Sequence, residues 1–136
     1  MTKLEALTKV MNETRNGTDG YTRCPFTRNF LYTSGIQEVA DAAGAYWLLD
    51  IAGTEVAPLM LKRFKDTGNS IAFLRILSAK GAAKLQLIND EGAAPEWSKT
   101  IHMTDFPDGD WKLMLAVDQV VQPGKDSVVM CLISEN

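Results

Sequence analysis

The residues from which small sites are most often built are scarce in this 136-residue chain, which has two cysteines, Cys24 and Cys131, and a single histidine, His102. The cysteines lie far apart in sequence, so they make neither a C-x-x-C redox pair nor a four-ligand zinc pattern, and both are expected as free thiols in a reducing compartment. A histidine triad or metal centre would have to use His102. It sits in Thr100-Ile101-His102-Met103 with no carboxylate or cysteine at ligand spacing, and reads as an ordinary strand residue. No apolar run reaches the roughly 18 to 20 residues that cross a bilayer. The first residues carry charges where a secretory leader would place its apolar segment. The expectation is a cytoplasmic protein with no membrane partner. Basic charge is not in excess either: 14 Lys and Arg against 17 Asp and Glu leave a net charge of −3. That argues against a nucleic-acid partner, whose binding depends on a basic surface that releases counterions from phosphate. Repeats, linkers and low-complexity tracts are absent, so residues 1–136 read as one domain.

What is present is a strong pattern. Tyr32 to Ile51, YTSGIQEVADAAGAYWLLDI, combines a helix start with the densest apolar cluster. Ser34 with Gln37 three residues on reads as the helix cap. Ile36, Val39, Ala40, Ala43, Tyr46, Trp47 and Ile51 follow at three- and four-residue steps, predicting one helix with a buried face. Tyr46 and Trp47 read as core rather than interface. A second cap signal, Thr2 with Glu5, predicts a surface helix over 3–14. Gly53-Thr54 predicts a break, and Val56 to Lys65 a separate short helix with Pro58 tolerated in its first turn.

From Asp66-Thr67-Gly68-Asn69 onward the period changes from 3.6 to 2. Ser70–Ser78 and the Ala83-Leu85-Leu87 alternation, joined at Lys80-Gly81, predict a hairpin. Trp97–Met103, the Trp111-Leu113-Leu115-Val117 alternation and Ser127–Ile133 predict three more strands. Helices first and strands afterwards predict an α+β domain, with N-terminal helices packed on one face of a four- to five-stranded antiparallel sheet.

Several strings are uncommon: Gly17-Thr18-Asp19 with Tyr21, Tyr32-Thr33-Ser34-Gly35, Ala45-Tyr46-Trp47-Leu48-Leu49-Asp50, and Thr104-Asp105-Phe106-Pro107. In order and spacing the chain resembles a family of small uncharacterised bacterial, phage and plasmid proteins, one of the domain-of-unknown-function families. Such proteins tend to close on P-S-E-Y, where this chain has Ile133-Ser134-Glu135-Asn136. The resemblance implies no catalytic residues and points to mobile genetic elements.

No nucleophile-base pair, metal cluster or cofactor loop is evident. Gly17-Thr18-Asp19-Gly20 lacks the Walker spacing and lysine, and reads as a loop. No cofactor is expected. Lys62, Arg63 and Lys65, with Arg23 and Arg28, form the one basic cluster, but Phe64 among them falls on the core face of its helix rather than stacking a base. Asp105 is expected to accept backbone hydrogen bonds within its turn beside Pro107. The functional expectation is therefore a non-enzymatic binding protein of a phage or other mobile element. Its specific form is an inhibitor of a host defence system that contacts a host or phage protein through Trp97, Trp111, Gln119, Gln122, Lys125 and Asp126. Two alternatives stand beside it: an enzyme using Asp50, Asp105 and His102, which requires the three to converge, and a self-associating module forming a homodimer.

Overall fold

The computed structural model describes residues 2–13, 21–23, 29–89, 92–119 and 124–135. Helix α1 (Lys3–Asn12) starts as the sequence predicts: the Thr2 hydroxyl accepts from the Glu5 N–H at 3.1 Å, and the Glu5 carboxylate reaches back to Thr2. It stops short of residue 14, because Glu13 is already extended. Two short strands then precede the next helix, β1 (Tyr21–Arg23) and β2 (Phe30–Thr33). All four residues of β2 are buried, so it lacks the alternation that identifies a strand.

Helix α2 (Ser34–Ala43) is capped by Thr33, one residue earlier than expected. Thr33 ends β2 in extended geometry, and its hydroxyl accepts from the Ile36 N–H at 3.3 Å. The expected single helix to Ile51 is in fact two. Gly44 adopts φ 64, and the N–H groups of Gly44 and Ala45 return to the carbonyls of Asp41 and Ala40, closing α2 in a Schellman motif. A residue with a side chain strains at that φ, so the A-A-G-A run marks the true end.

Beyond the turn the expected break is missing. Helix α3 (Trp47–Ile51) widens into a π-helical turn (Ala52–Val56) and continues as α4 (Ala57–Thr67). Gly53 and Thr54 sit within this run, where the Thr54 hydroxyl donates to the Asp50 carbonyl at 2.6 Å. The wider turn lets the helix absorb them, and Pro58 falls in the first turn of α4. Arg63 on α4 is buried instead of Phe64. Its guanidinium donates to the Ile71 carbonyl at 3.1 Å and to the Asn89 side chain, and pairs with Glu96 at 3.1 Å. This ties α4 to Ile71 and Asn89, which stand at the open end of the hairpin that follows.

The strands β3 (Ile71–Ala79), β4 (Ala82–Ile88), β5 (Trp97–Ile101), β6 (Gly109–Asp118) and β7 (Ser127–Cys131) match the five expected stretches; β4 and β6 run longer than expected and β5 and β7 stop two residues early. Their arrangement does not follow the expected four- to five-stranded antiparallel sheet. The sheet has seven strands in the order β1-β2-β7-β6-β3-β4-β5. The chain leaves β5 at one edge and returns to place β6 beside β3, giving the 6-3-4-5 order of a Greek key. Then β7 folds back on β6, and β2 pairs parallel to β7, with Phe30, Leu31 and Tyr32 opposite Val128, Val129 and Met130. Alternation sets which residues face inward but not which strands are neighbours, so the mixed order is not written in the pattern.

The core takes alternate residues from one sheet face: Ala72, Leu74 and Ile76 with Leu85, Leu87, Leu113, Leu115, Val128 and Met130. From the helices it takes Leu7, Ile36, Val39, Leu48, Val56 and Met60. The chain's end is locked into this arrangement by Glu135, in the 3-10 turn Ile133–Glu135. Its buried carboxylate accepts from the Thr33 hydroxyl at 2.6 Å, the Leu132 N–H at 2.9 Å and the Gly35 N–H at 3.3 Å. A Cβ at Gly35 would stand 2.4 Å from that carboxylate and 2.7 Å from Leu132 Cδ1, so the glycine of Y-T-x-G is required by close approach.

Glu135→Ala is expected to lower the unfolding free energy by about 2–4 kcal/mol, because it leaves three buried donors without their anionic acceptor. Gly35→Ala is expected to cost about 1–3 kcal/mol as an overpacking substitution. Denaturant titration of both and of the double variant checks the contact. The double variant should lose less than the sum of the two by about 1 kcal/mol, since the clash and its partner are removed together.

Candidate functional site

The segment 102–108, joining β5 to β6, is fixed from every side. Within it the Phe106 N–H donates to the Thr104 hydroxyl at 3.1 Å. Towards the β3–β4 turn, the Thr104 N–H donates to the Gly81 carbonyl at 2.8 Å and the Lys80 N–H to the Asp108 carboxylate at 3.2 Å. The Ser78 hydroxyl donates to the Phe106 carbonyl at 2.9 Å, and the Trp111 indole N–H to the Pro107 carbonyl at 3.0 Å. Phe106 is buried and meets Trp47 edge-on, ring centroids 6.1 Å apart. The strings A-Y-W-L-L-D and T-D-F-P therefore touch.

Asp105 plays the part expected of it only in small measure, accepting one backbone hydrogen bond, from its own N–H. Its side chain is 72% exposed and pairs with Lys3 of α1, which holds its carboxyl below the usual carboxylate range through a hydrogen bond and charge attraction. The hydroxyl of Thr104 accepts the turn's hydrogen bond from Phe106. Lys3 also lies beside Gly44, its Nζ 3.1 Å from where a Cβ would be. One lysine thus joins α1, the α2–α3 turn and the 102–108 segment.

Three exposed large apolar side chains lie close in sequence to the residues of that junction. Leu4 follows Lys3, Tyr46 follows Gly44 by two residues and Met103 precedes Asp105 by two; they are 47%, 54% and 89% exposed. Tyr46 is thus not the core residue it was expected to be, while Trp47 beside it is half-buried against the core. The Gly44 turn is what rotates Tyr46 outward, where its hydroxyl donates to Asp41 and is held above the usual tyrosine range by that bond. Met103 continues the Trp97-Lys99-Ile101 alternation in sequence, but β5 stops at Ile101 and the side chain falls outside the sheet.

The described residues among those expected to bind a partner lie at separate places on the sheet. Trp97 lies on edge strand β5, half-buried against the core and opposite Leu87. Trp111 is half-buried with its N–H bound to Pro107. Gln119 and Asp126 bond each other at 2.6 Å across the ends of β6 and β7, three strands from β5, with Lys125 exposed beside them. Gln122 lies outside the described residues, as do Cys24, Arg28 and the Gly17–Gly20 run. Of the basic cluster, Lys62 and Lys65 are exposed and Arg63 is internal. Asp50 and His102 are exposed, and no hydrogen bond or ion pair among the described residues joins either to Asp105.

Three surface pockets, of about 120, 270 and 240 Å³, open on the sheet face opposite the core. The smallest contains Thr33, Cys131 and Glu135, the second the paired Arg75 and Asp110, and the third Leu77, Ala79 and Lys84. Among the described residues no three of His, Cys, Asp and Glu are placed to hold a metal ion. Cys131 is a free, buried thiol, pushed up to about 11 by burial and then by the nearby charge of Glu135. No helix among the described residues is long and apolar enough to cross a membrane.

The fold is that of a small mixed α+β domain. The chain belongs to DUF6876, a family of unknown function, which residues 7–136 match. Comparison with curated proteins and with solved structures finds no match.

Two outcomes check this reading of the site. Phe106→Ala is expected to cost about 3–5 kcal/mol in denaturant titration, as buried aromatic deletions do. Asp105→Ala should leave the denaturation midpoint at neutral pH almost unmoved, because an exposed ion pair is screened by water and salt. Alkylation of Cys131, followed by peptide mass spectrometry, should stay slow in the native protein until the pH approaches 11 and become fast in denaturant. The folded state favours the protonated thiol, so Cys131 contributes stability below pH 9 that is lost between 9 and 11. Cys131→Ala should flatten that part of the stability profile.

Proposed function

We propose that the protein is a non-enzymatic binding protein, and that it acts by covering part of another protein with the face formed by Leu4, Tyr46 and Met103. One observation carries this: the most exposed large apolar side chain, Met103, stands on a segment whose backbone is anchored on both sides of it. Apolar side chains on yielding loops can fold away from water. Here the anchored backbone keeps Met103 out, at a continuing hydration cost that binding relieves. Tyrosine and methionine are also the residue types enriched where partners meet.

The resemblance to phage and plasmid proteins in Y-T-x-G, A-Y-W-L-L-D and T-D-F-P supports placing the chain in a mobile element. There the reading takes a specific form, an inhibitor that occupies a surface of a host defence protein. Edge strand β5 supports a competing reading, because an unpaired strand edge can add the same strand of a second copy.

Tagged wild type and a Tyr46→Glu/Met103→Glu double variant, incubated with bacterial host lysate, separate these readings. The expected result is a stoichiometric protein retained by the wild type and lost by the variant, whose circular dichroism and denaturation midpoint stay unchanged. Equal retention by both, or no protein retained, removes the proposal. A dimeric molar mass unaffected by the variant assigns the association to β5.

A further inference from the structure

The exposed face is not electrically uniform. Tyr46 and Asp50 stand one helical turn apart, so their side chains share one side of α3. Asp50 is exposed, and its carboxylate has no hydrogen bond or ion pair among the described residues. On the other side of Tyr46, Asp41 receives the tyrosine hydroxyl and the Gln37 amide, the latter at 3.1 Å, but no cation. Lys3 is the nearby basic group, and its charge is matched by Asp105. Two uncompensated carboxylates therefore flank an exposed aromatic ring. His102 directly precedes Met103, and the acids of that segment, Asp105 and Asp108, are each engaged, by Lys3 and by the Lys80 N–H.

From this charge pattern we infer that the face takes a cationic, apolar protein segment, with a lysine or arginine head group between Tyr46 and Asp50 and apolar side chains reaching Met103. The inference rests on the binding reading above and gives its partner a chemistry. The ring offers a cation its negative face, Asp50 offers the counter-charge, and an arginine can use both at once because its plane stacks while its edge donates. An acidic segment meets two like charges there and is repelled.

The probes are two synthetic amphipathic peptides with identical leucine positions, one carrying arginine and the other glutamate at the polar positions, titrated into the full chain by fluorescence anisotropy at low salt. The arginine peptide should bind and the glutamate peptide should not. Asp50→Lys should weaken the arginine peptide about tenfold, the scale of reversing one contact at an interface rim. Asp66→Lys makes the same charge change roughly 24 Å further along the helical run at 1.5 Å per residue, and should alter binding by less than about twofold. Failure of the arginine peptide to bind overturns the inference, as does equal weakening by the two reversals, which is the mark of bulk attraction to an acidic protein. If the lysate partner is lost by Tyr46→Glu/Met103→Glu but kept by Asp50→Lys, the binding reading stands and the cationic partner falls. A dimer in solution that Tyr46→Glu/Met103→Glu dissociates gives the face to a second copy and overturns the inference too.

Discussion

The carboxylate of Glu135 at the start of α2 is the interaction on which the rest of the structure depends. Through it the end of the chain closes on the turn between β2 and the helix, about a hundred residues earlier in sequence. Three donors meet on that carboxylate, and a buried donor without a partner is costly. The parallel pairing of β2 with β7 sits directly beside this contact. Neither strand is a good structure alone: β2 has four residues, and parallel pairs need a distant connection to bring them together. The Glu135 contact fixes that pair in register, and β1 can add to β2 only once β2 is held. Two of the seven strands, β1 and β2, thus depend on a contact made by one side chain near the C-terminus.

The second constraint is the 102–108 segment, which closes the Greek key. The chain must cross from β5 past β4 and β3 to start β6, and a long connection across a sheet end is unstable unless its polar groups are satisfied. Hydrogen bonds to Gly81, Ser78, Lys80 and Trp111 supply that, and Phe106 adds a buried ring against Trp47. The two uncommon strings are therefore explained by structure, because each holds the other. Their exposed members, Tyr46, Asp50 and Asp105, are not needed for that contact.

Much of the fold was legible in the sequence wherever a local rule decides. Thr2 with Glu5, the Lys80-Gly81 hairpin and the five later strands all follow from caps, turns and period. The failures have particular causes. β2 carries buried residues at every position, so it has no alternation to read. Gly44 gives no signal of a helix end because residues on both sides of it keep helical spacing, although the turn displaces Tyr46 from the core. The opposite error occurred at Gly53-Thr54, where a π-turn absorbs what looks like a break. Met103 was hidden by an alternation that outlasts its strand by two residues. The burial of Arg63 and Glu135 has no signal in the sequence, since nothing local shows that a charged side chain is buried with distant partners. The site was less legible than the fold, because it is assembled by Lys3, Gly44 and Asp105, which only the topology brings together.

That assembly bears on how the face can act. Binding a partner costs the entropy of ordering whatever was loose beforehand. Here the backbone beneath Met103 and Tyr46 is ordered by contacts the fold needs in any case, so little of that cost falls on recognition. The side chains divide the remaining work. Tyrosine has few rotamers and presents a fixed ring, whereas methionine is unbranched and polarizable and can reshape to the surface it meets. Under the proposed binding reading, a fixed anchor beside an adaptable one would hold a particular surface and tolerate change at its edge. The same argument separates fold from recognition: substitutions at Phe106 or Glu135 remove the platform, while substitutions at Tyr46, Asp50 or Met103 alter only what the platform displays.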